Sequence, residues 1–420
     1  MNRREFLVGA GSLAVAAKPL LAAAQTTARP GVFPASVRAD FPSVARETYL
    51  NSAALHPVGS FTANAMKGVI DTRLLGPGEG RADFNARQQE ELKRKFGAMI
   101  NAAPTEIAYI ANTSDGENIV VMGLLEGGPE GPPLRARLSG INVVIDELHF
   151  NTSLFMYKEL EKKGLELRIV KHKNWKIDPE DMARAIDRNT KLVSMALVSN
   201  VNGFMHDCKA VSAIAHARGA MVFADIIQAV GCVPVDVKAL GIDFASSGTY
   251  KWLMGERGIG FLYVREDLQG TVLPTTRYGH RQMSNFNRAQ LTWDSQPGAA
   301  RYETGGIPVI LAAGVNAGID YVNKLGLSNI RTHAKQLTDR LQNELPPLGY
   351  KPLTPRDTET PILAFEVKDA AATSKMLQAA KVVGTVVANE NRIRLAVSVF
   401  NTHEDIDRVV AVLGGKTSSI

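Results

Sequence analysis

Phe223-Ala-Asp-Ile-Ile-Gln228, with the return to Asp243-Phe-Ala-Ser-Ser-Gly-Thr-Tyr-Lys251-Trp-Leu253, decides how the chain is read. Two apolar runs, 220–224 and 242–246, have the length and composition of buried strands. Asp225 ends the first, and Tyr250-Lys251 follows the second. A carboxylate and an amine at the C-terminal ends of buried strands stand where open α/β sheets gather their ligands. Beyond Lys251 come a glycine-punctuated turn, Gly255-Glu-Arg-Gly-Ile-Gly260, and another apolar strand over 261–264. The glycine spacing alone resembles a nucleotide loop, but it precedes a strand rather than a helix, so it reads as hairpin punctuation.

Outward from this centre, strand-like runs recur at 107–110, 142–145, 166–170, 191–198, 221–224, 242–246 and 261–264. Helical spacing falls between them, as at 183–188 and 210–218, and before them at 82–100, where Phe84, Leu92, Phe96, Met99 and Ile100 share a face. The rhythm predicts an α/β fold: a mostly parallel, seven-stranded sheet covered by helices on both sides. A polar stretch, 277–301, interrupts it and reads as a long loop near a subunit interface. Helices over 307–325 and 328–345, strands over 362–367, 382–387 and 393–396, and a last helix over 403–413 then predict a small α+β unit. The expected division is 1–24 leader, 25–60 N-terminal arm, 61–305 large domain and 306–420 small domain, the last joined by part of the arm.

The chain has 420 residues, 45% of them hydrophobic and 21% charged, enough for a large core and ordinary for an enzyme. The net charge is +6, of which Arg3, Arg4, Lys18 and Glu5 contribute a part inside the leader. No basic stripe with interleaved aromatics marks a nucleic-acid surface. Met1-Asn-Arg-Arg-Glu-Phe-Leu7, the weakly apolar run 8–17 and Ala22-Ala-Ala24 read as a twin-arginine signal with its cleavage site. The run is too short to span a bilayer, so no stable membrane anchor is expected. A passage through the twin-arginine translocase would deliver a folded, cofactor-loaded protein to a bacterial periplasm. Cys208 and Cys232 are the only cysteines and read as small buried residues, unpaired. The eight histidines show no metal-ligand spacing.

Asp-x-x-Gln at 225–228, Tyr-Lys-Trp-Leu at 250–253 and Gly-x-Gly-Phe-Leu-Tyr-Val at 258–264 together resemble the class V aminotransferases. That family includes cysteine desulfurases, kynureninase and isopenicillin N epimerase-like enzymes, all dependent on pyridoxal phosphate. The likeness runs from about Tyr49 to Leu413. It implies a large domain and a small domain of the pyridoxal-phosphate transferase architecture, a homodimer, and an amino-acid or amino-acyl substrate.

The resemblance gives residues their roles, and each also has a plain structural reading. Lys251 matches the Schiff-base lysine, whose amine must be neutral to attack a carbonyl; alone it would pass for a surface lysine. Asp225 matches the partner of the pyridine nitrogen, though an Asp after a strand commonly caps a helix. Gln228 and Asn200 match side chains near the phenolic oxygen. Thr113 and Ser114, in Asn112-Thr-Ser-Asp-Gly116 before a helix expected over 117–125, match the phosphate-binding positions. Tyr250 stands where desulfurases carry a histidine, and its phenol can reach phosphate. In Asp146-Glu-Leu-His-Phe150 the group stacking on the ring is Phe150 in one register and His149 in the other. Arg394 matches the arginine that grips the α-carboxylate with a two-pronged fork. Asn51 is the expected substrate contact of the segment 49–56.

Two departures narrow the activity. Desulfurases carry a nucleophilic cysteine on the loop before the arginine, and residues 383–392 contain none. The motif whose threonine reaches the neighbouring subunit's phosphate reads Arg301-Tyr-Glu-Thr-Gly-Gly306, with Gly306 at the threonine position. The expected activity is transamination at Cα. Epimerisation and carbon–sulfur lysis stand as alternatives, and a non-catalytic binding protein on the same scaffold is the reading from another class.

Overall fold

The computed structural model describes residues 33–76, 84–126 and 134–415. The leader expected over 1–24 lies outside them. After a short first strand, β1 (Thr48–Tyr49), the apolar runs become β2 (Ile107–Ile110), β3 (Asn142–Asp146), β4 (Glu166–Val170), β5 (Thr190–Ala196), β6 (Met221–Asp225), β7 (Phe244–Gly248) and β8 (Gly260–Val264). These seven form one sheet in the order β2-β8-β7-β6-β5-β3-β4. Only β8 runs against its neighbours, β2 and β7; the other pairings are parallel. The fold is therefore α/β, as the rhythm predicts. Successive residues of β6 and β7 point to opposite faces. Val222, Ala224 and Ala245 enter one buried cluster, while Phe223 and Phe244 enter the other. Burial on both faces is why these strands read as unbroken apolar runs.

The remaining strands depart more from expectation. Within 277–301, read as a loop, β9 (Met283–Asn287) and β10 (Thr292–Ser295) make an antiparallel hairpin. It is largely exposed, so it lacks the inside–outside alternation that marks a strand in sequence. A second sheet contains β11 (Lys351–Pro352) and β12 (Ile362–Glu366), and the expected strand 382–387 divides into β13 (Val382–Val383) and β14 (Thr385–Val387). With β15 (Arg392–Ala396) the order is β11-β12-β15-β14, while β13 leaves to pair in parallel with β1. Gly384 sits at the division, where a Cβ would lie 2.9 Å from Leu395 Cδ2.

Helix limits shift modestly. The helix expected over 82–100 covers Ala86–Met99, set by a capping box between Asn85 and Gln88. Those expected over 183–188 and 210–218 lie at Pro179–Ala185 and Cys208–His216, each earlier because Pro179 and the Asp207 cap start the turn sooner. The arm departs most, since residues 25–47, rich in Pro and Ala and without clear periodicity, read in sequence as mobile. From residue 35 it is folded, with a helix at Ala35–Ala39 and a 3-10 turn at Pro42–Ala45. Phe41 is fully buried, its ring centroid 5.2 Å from Phe400 and 6.0 Å from Tyr321. Arg38 donates to Asp405 Oδ2 and to the Phe400 carbonyl, both at 2.8 Å. A helix of five residues is too short to display a period.

Candidate active site

The carboxyl ends of the central strands open onto two adjoining cavities, an inner one of about 120 Å³ and an outer one of about 580 Å³. Phe150, Asn200, Tyr250 and Lys251 line both. Thr113, Ser114, Asp225 and Gln228 line the inner one, and Arg394 lines the outer. Nine of the eleven site residues expected from sequence thus meet around Lys251; His149 and Asn51 do not line either cavity.

Lys251 is nearly buried. Loss of hydration lowers its ammonium from the ordinary lysine value to about 8; Asp225 opposes this and Arg394 adds to it. Asp225 ends β6 beside it, its Oδ1 accepting from the Ile227 N–H at 2.9 Å, and burial raises its carboxyl. Gln228 is held by the Ala53 carbonyl (2.9 Å) and the Trp252 indole N–H (3.0 Å), which turns its amide along the cavity floor.

The helix expected over 117–125 starts four residues earlier, at Thr113, and runs to Val121. Asn112 caps it, accepting from Asp115 N–H at 3.0 Å. Thr113 and Ser114 therefore lie in the first turn, whose N–H groups have no intrahelical acceptor. The Thr113 hydroxyl accepts from Gly248 N–H at 2.9 Å, and the Ser246 hydroxyl donates to the Thr113 carbonyl at 2.9 Å. Gly116 allows this approach. A Cβ there would meet Ser246 Cβ at 2.6 Å and Ile110 Cδ1 at 2.8 Å. A helix start lies pressed against strand ends, a place suited to an anionic group.

On the outer side, Arg394 donates to the Asn200 carbonyl at 2.6 Å and to the Thr385 hydroxyl at 3.1 Å. Its Nε, like Asn200 Oδ1, is buried without a partner, and burial lowers its guanidinium to about 10. Asn51 sits one step behind: Thr385 Oγ1 donates to its Oδ1 at 2.7 Å. Arg392 and Trp175 are among the lining residues that the sequence reading does not name. Arg392 lies two positions before Arg394 on β15, so both point to one face; the Arg-x-Arg spacing was its available signal. Trp175 adopts φ +64 and stacks on His172, centroids 4.5 Å apart. A lone tryptophan in a polar loop gives no such signal.

Phe150 contributes to the walls of both cavities, whereas His149 is fully buried beneath, its Nε2 2.9 Å from Ser194 Oγ. Tyr250 is half-buried, with the Arg257 guanidinium 5.5 Å from its ring centre. Gly306 is exposed and lines a separate recess with Thr304, Arg277 and Asp115. Cys208 and Cys232 are free and buried, outside both cavities; burial lifts the first thiol to about 11 and raises the second as well. Among the described residues no cluster of three or more metal-ligating side chains occurs, and no helix is long and apolar enough to cross a membrane.

Comparisons with known proteins agree with this geometry. A probable cysteine desulfurase of Methanothermobacter thermautotrophicus is 30% identical over 309 residues, 73% of this chain and 74% of that protein. Among solved structures, the apo cysteine desulfurase of Thermococcus onnurineus NA1 superposes with a TM-score of 0.78 at 23% identity, covering 91% of this chain and 97% of that one. The cystine C-S lyase C-DES, in complex with cysteine persulfide, gives 0.78 at 19% identity, with 89% and 99% covered. These two structures bear on the fold. The aminotransferase class-V model matches residues 81–409, most of the sequence, and the chain accordingly belongs to the class V aminotransferases, enzymes that depend on pyridoxal phosphate.

Proposed function

We propose that this enzyme transforms an amino acid or amino-acyl substrate at Cα, with transamination as its reaction. The observation that carries the reading is a buried amine brought to about 8, sharing one cavity with a buried arginine that retains an unpartnered N–H. The surrounding residues suit pyridoxal phosphate. The helix start at Thr113 and Ser114, with Tyr250 near, offers donors for the phosphate. Asp225 would hold a proton on the ring nitrogen, Asn200 and Gln228 present amides toward the phenolic oxygen, and Phe150 forms the facing wall. When bound, the cofactor supplies a protonated ring able to withdraw electrons from a bond at Cα.

The chain's own part is to orient and to move one proton. Arg394 takes the α-carboxylate, its position fixed by the Asn200 carbonyl and by Thr385. With the cofactor held here, Lys251 would be the base that takes the proton from Cα and gives it back in transamination. One base can serve both acts, and among the described residues Lys251 is the only lysine lining either cavity. Water is kept from the amine by burial, which keeps a useful fraction of it neutral near pH 8.

A second reading, carbon–sulfur lysis, is favoured by the names of the relatives. No cysteine lines either cavity here, so sulfur would have to leave without capture by an enzyme thiol. Purified holoenzyme is mixed with a panel of amino acids that includes cysteine and cystine. Bleaching of the visible band, its return with an α-keto acid, and keto products retaining the side chain are expected. Pyruvate with released sulfide or persulfide would replace transamination by lysis. Export and a homodimeric state belong to the same proposal. Arg3-Arg4→Lys-Lys is expected to hold the protein in the cytosol, and sedimentation of the mature chain is expected to give twice the monomer mass.

A further inference from the structure

Glu117 is a carboxylate buried to 2% exposure, and nothing in the reaction uses it. Burying such a group is costly unless its oxygens are bonded, and an apolar residue would fill the space without that cost. Here it accepts from three hydroxyls: Ser194 at 2.8 Å, Tyr157 at 3.0 Å, and Ser153. Those donors come from β5 and from the helix Asn151–Lys162, while Glu117 itself lies one helical turn beyond Thr113. The carboxylate thus bolts the phosphate-facing helix to the sheet and to the helix that begins just after Phe150.

The hydrogen bonds continue in a fixed direction. A carboxylate only accepts, so the single Ser194 hydroxyl proton goes to Glu117, leaving its oxygen to accept. The donor is His149 Nε2 at 2.9 Å. The other ring nitrogen, Nδ1, accepts from the Phe150 backbone N–H at 2.7 Å, so it carries no proton. Every bond from Glu117 to Phe150 has one allowed polarity, which selects one tautomer of His149. Phe150 in turn is a side chain common to both cavities.

We propose that Glu117, Ser194 and His149 are positioning residues whose relay sets the Phe150 wall against the cofactor and locks that wall to the phosphate-facing helix. The inference rests on the pyridoxal-phosphate reading of the site. Its test uses the holoenzyme with Ser194→Ala, which cuts the relay at its middle, Ser194→Thr, which keeps the hydroxyl, and Glu117→Gln, which keeps the shape. Two quantities are read: the position of the cofactor's visible band, and the rate at which pyridoxal phosphate leaves on dilution into a trap. Far-UV circular dichroism of the apo forms reports folding separately.

Ser194→Ala and Glu117→Gln are expected to fold, to release the cofactor roughly tenfold faster and to shift the band; Ser194→Thr restores both. If one of the first two fails to fold, the other is read in the same way. Folded variants with an unchanged band and release within twofold of wild type would overturn the relay alone. So would folded Ser194→Thr that behaves as Ser194→Ala. Wild-type protein that takes up no pyridoxal phosphate would instead remove the proposed function, and the relay with it.

Discussion

Lys251 is held in a place that disfavours its charge. In the unfolded chain it titrates at the ordinary lysine value, 10.5, and in the fold at about 8. Below pH 8 both states are protonated and the burial penalty is fully present. Between pH 8 and 10.5 the unfolded chain binds more protons, so this residue's contribution to stability rises with pH. Apo Lys251→Met is therefore expected to be more stable than apo wild type at pH 7, by up to about 3 kcal/mol, and nearly equal to it at pH 10.5. Urea titrations at the two values check this, and the variant should also lack the visible band. Arg394→Lys loses the two-pronged fork and is expected to raise KM about 100-fold, with a smaller change in kcat. Asn51→Ala should move KM the same way by only severalfold, since it reaches the arginine through Thr385; steady-state kinetics separate the two. Asp225 and Lys251 were legible because each follows a recognisable apolar strand. Glu117 and Arg392 were not. A charged residue reads as solvated until its partners are known, and Glu117 draws its three donors from two different elements.

The elements that carry the site were legible where burial writes a period and illegible where it does not. All seven central strands were found from their apolar runs. The hairpin of β9 and β10 was missed, and 382–387 was read as one strand although its two halves join different sheets. The helix at Thr113 was placed four residues late because Thr, Ser, Asp and Gly are weak helix formers, favoured instead at starts. Tertiary contact with β7 sets its beginning. Gly116→Ala should push that helix away from Ser246, costing about 1–3 kcal/mol and loosening the cofactor's phosphate together with the fold. Denaturant midpoints and cofactor release would be measured on the same variant. Loss of stability with unchanged release would show that the helix start does not hold the phosphate.

At the scale of the whole molecule, the N-terminal arm closes the structure. Phe41, Val37 and Val44 pack with Tyr321, Val399 and Phe400, and β1 pairs with β13. The sequence showed no period here because the packing is made by single side chains on short turns. Phe41→Ala is expected to cost about 3–5 kcal/mol, seen as a lower denaturation midpoint, while the visible band of the holoenzyme stays unchanged.

The same arm sets an order of events during synthesis. Thr48 leaves the ribosome long before its partner Val382, and Arg38 long before Asp405. At about 5–20 residues per second the interval is roughly 15–70 s. For that time the arm has its nearer partners Phe61 and Tyr321 but lacks Val399, Phe400 and β13, and a chain cut short before β13 never completes that packing. Full docking of the earliest described segment therefore waits on residues 382–405.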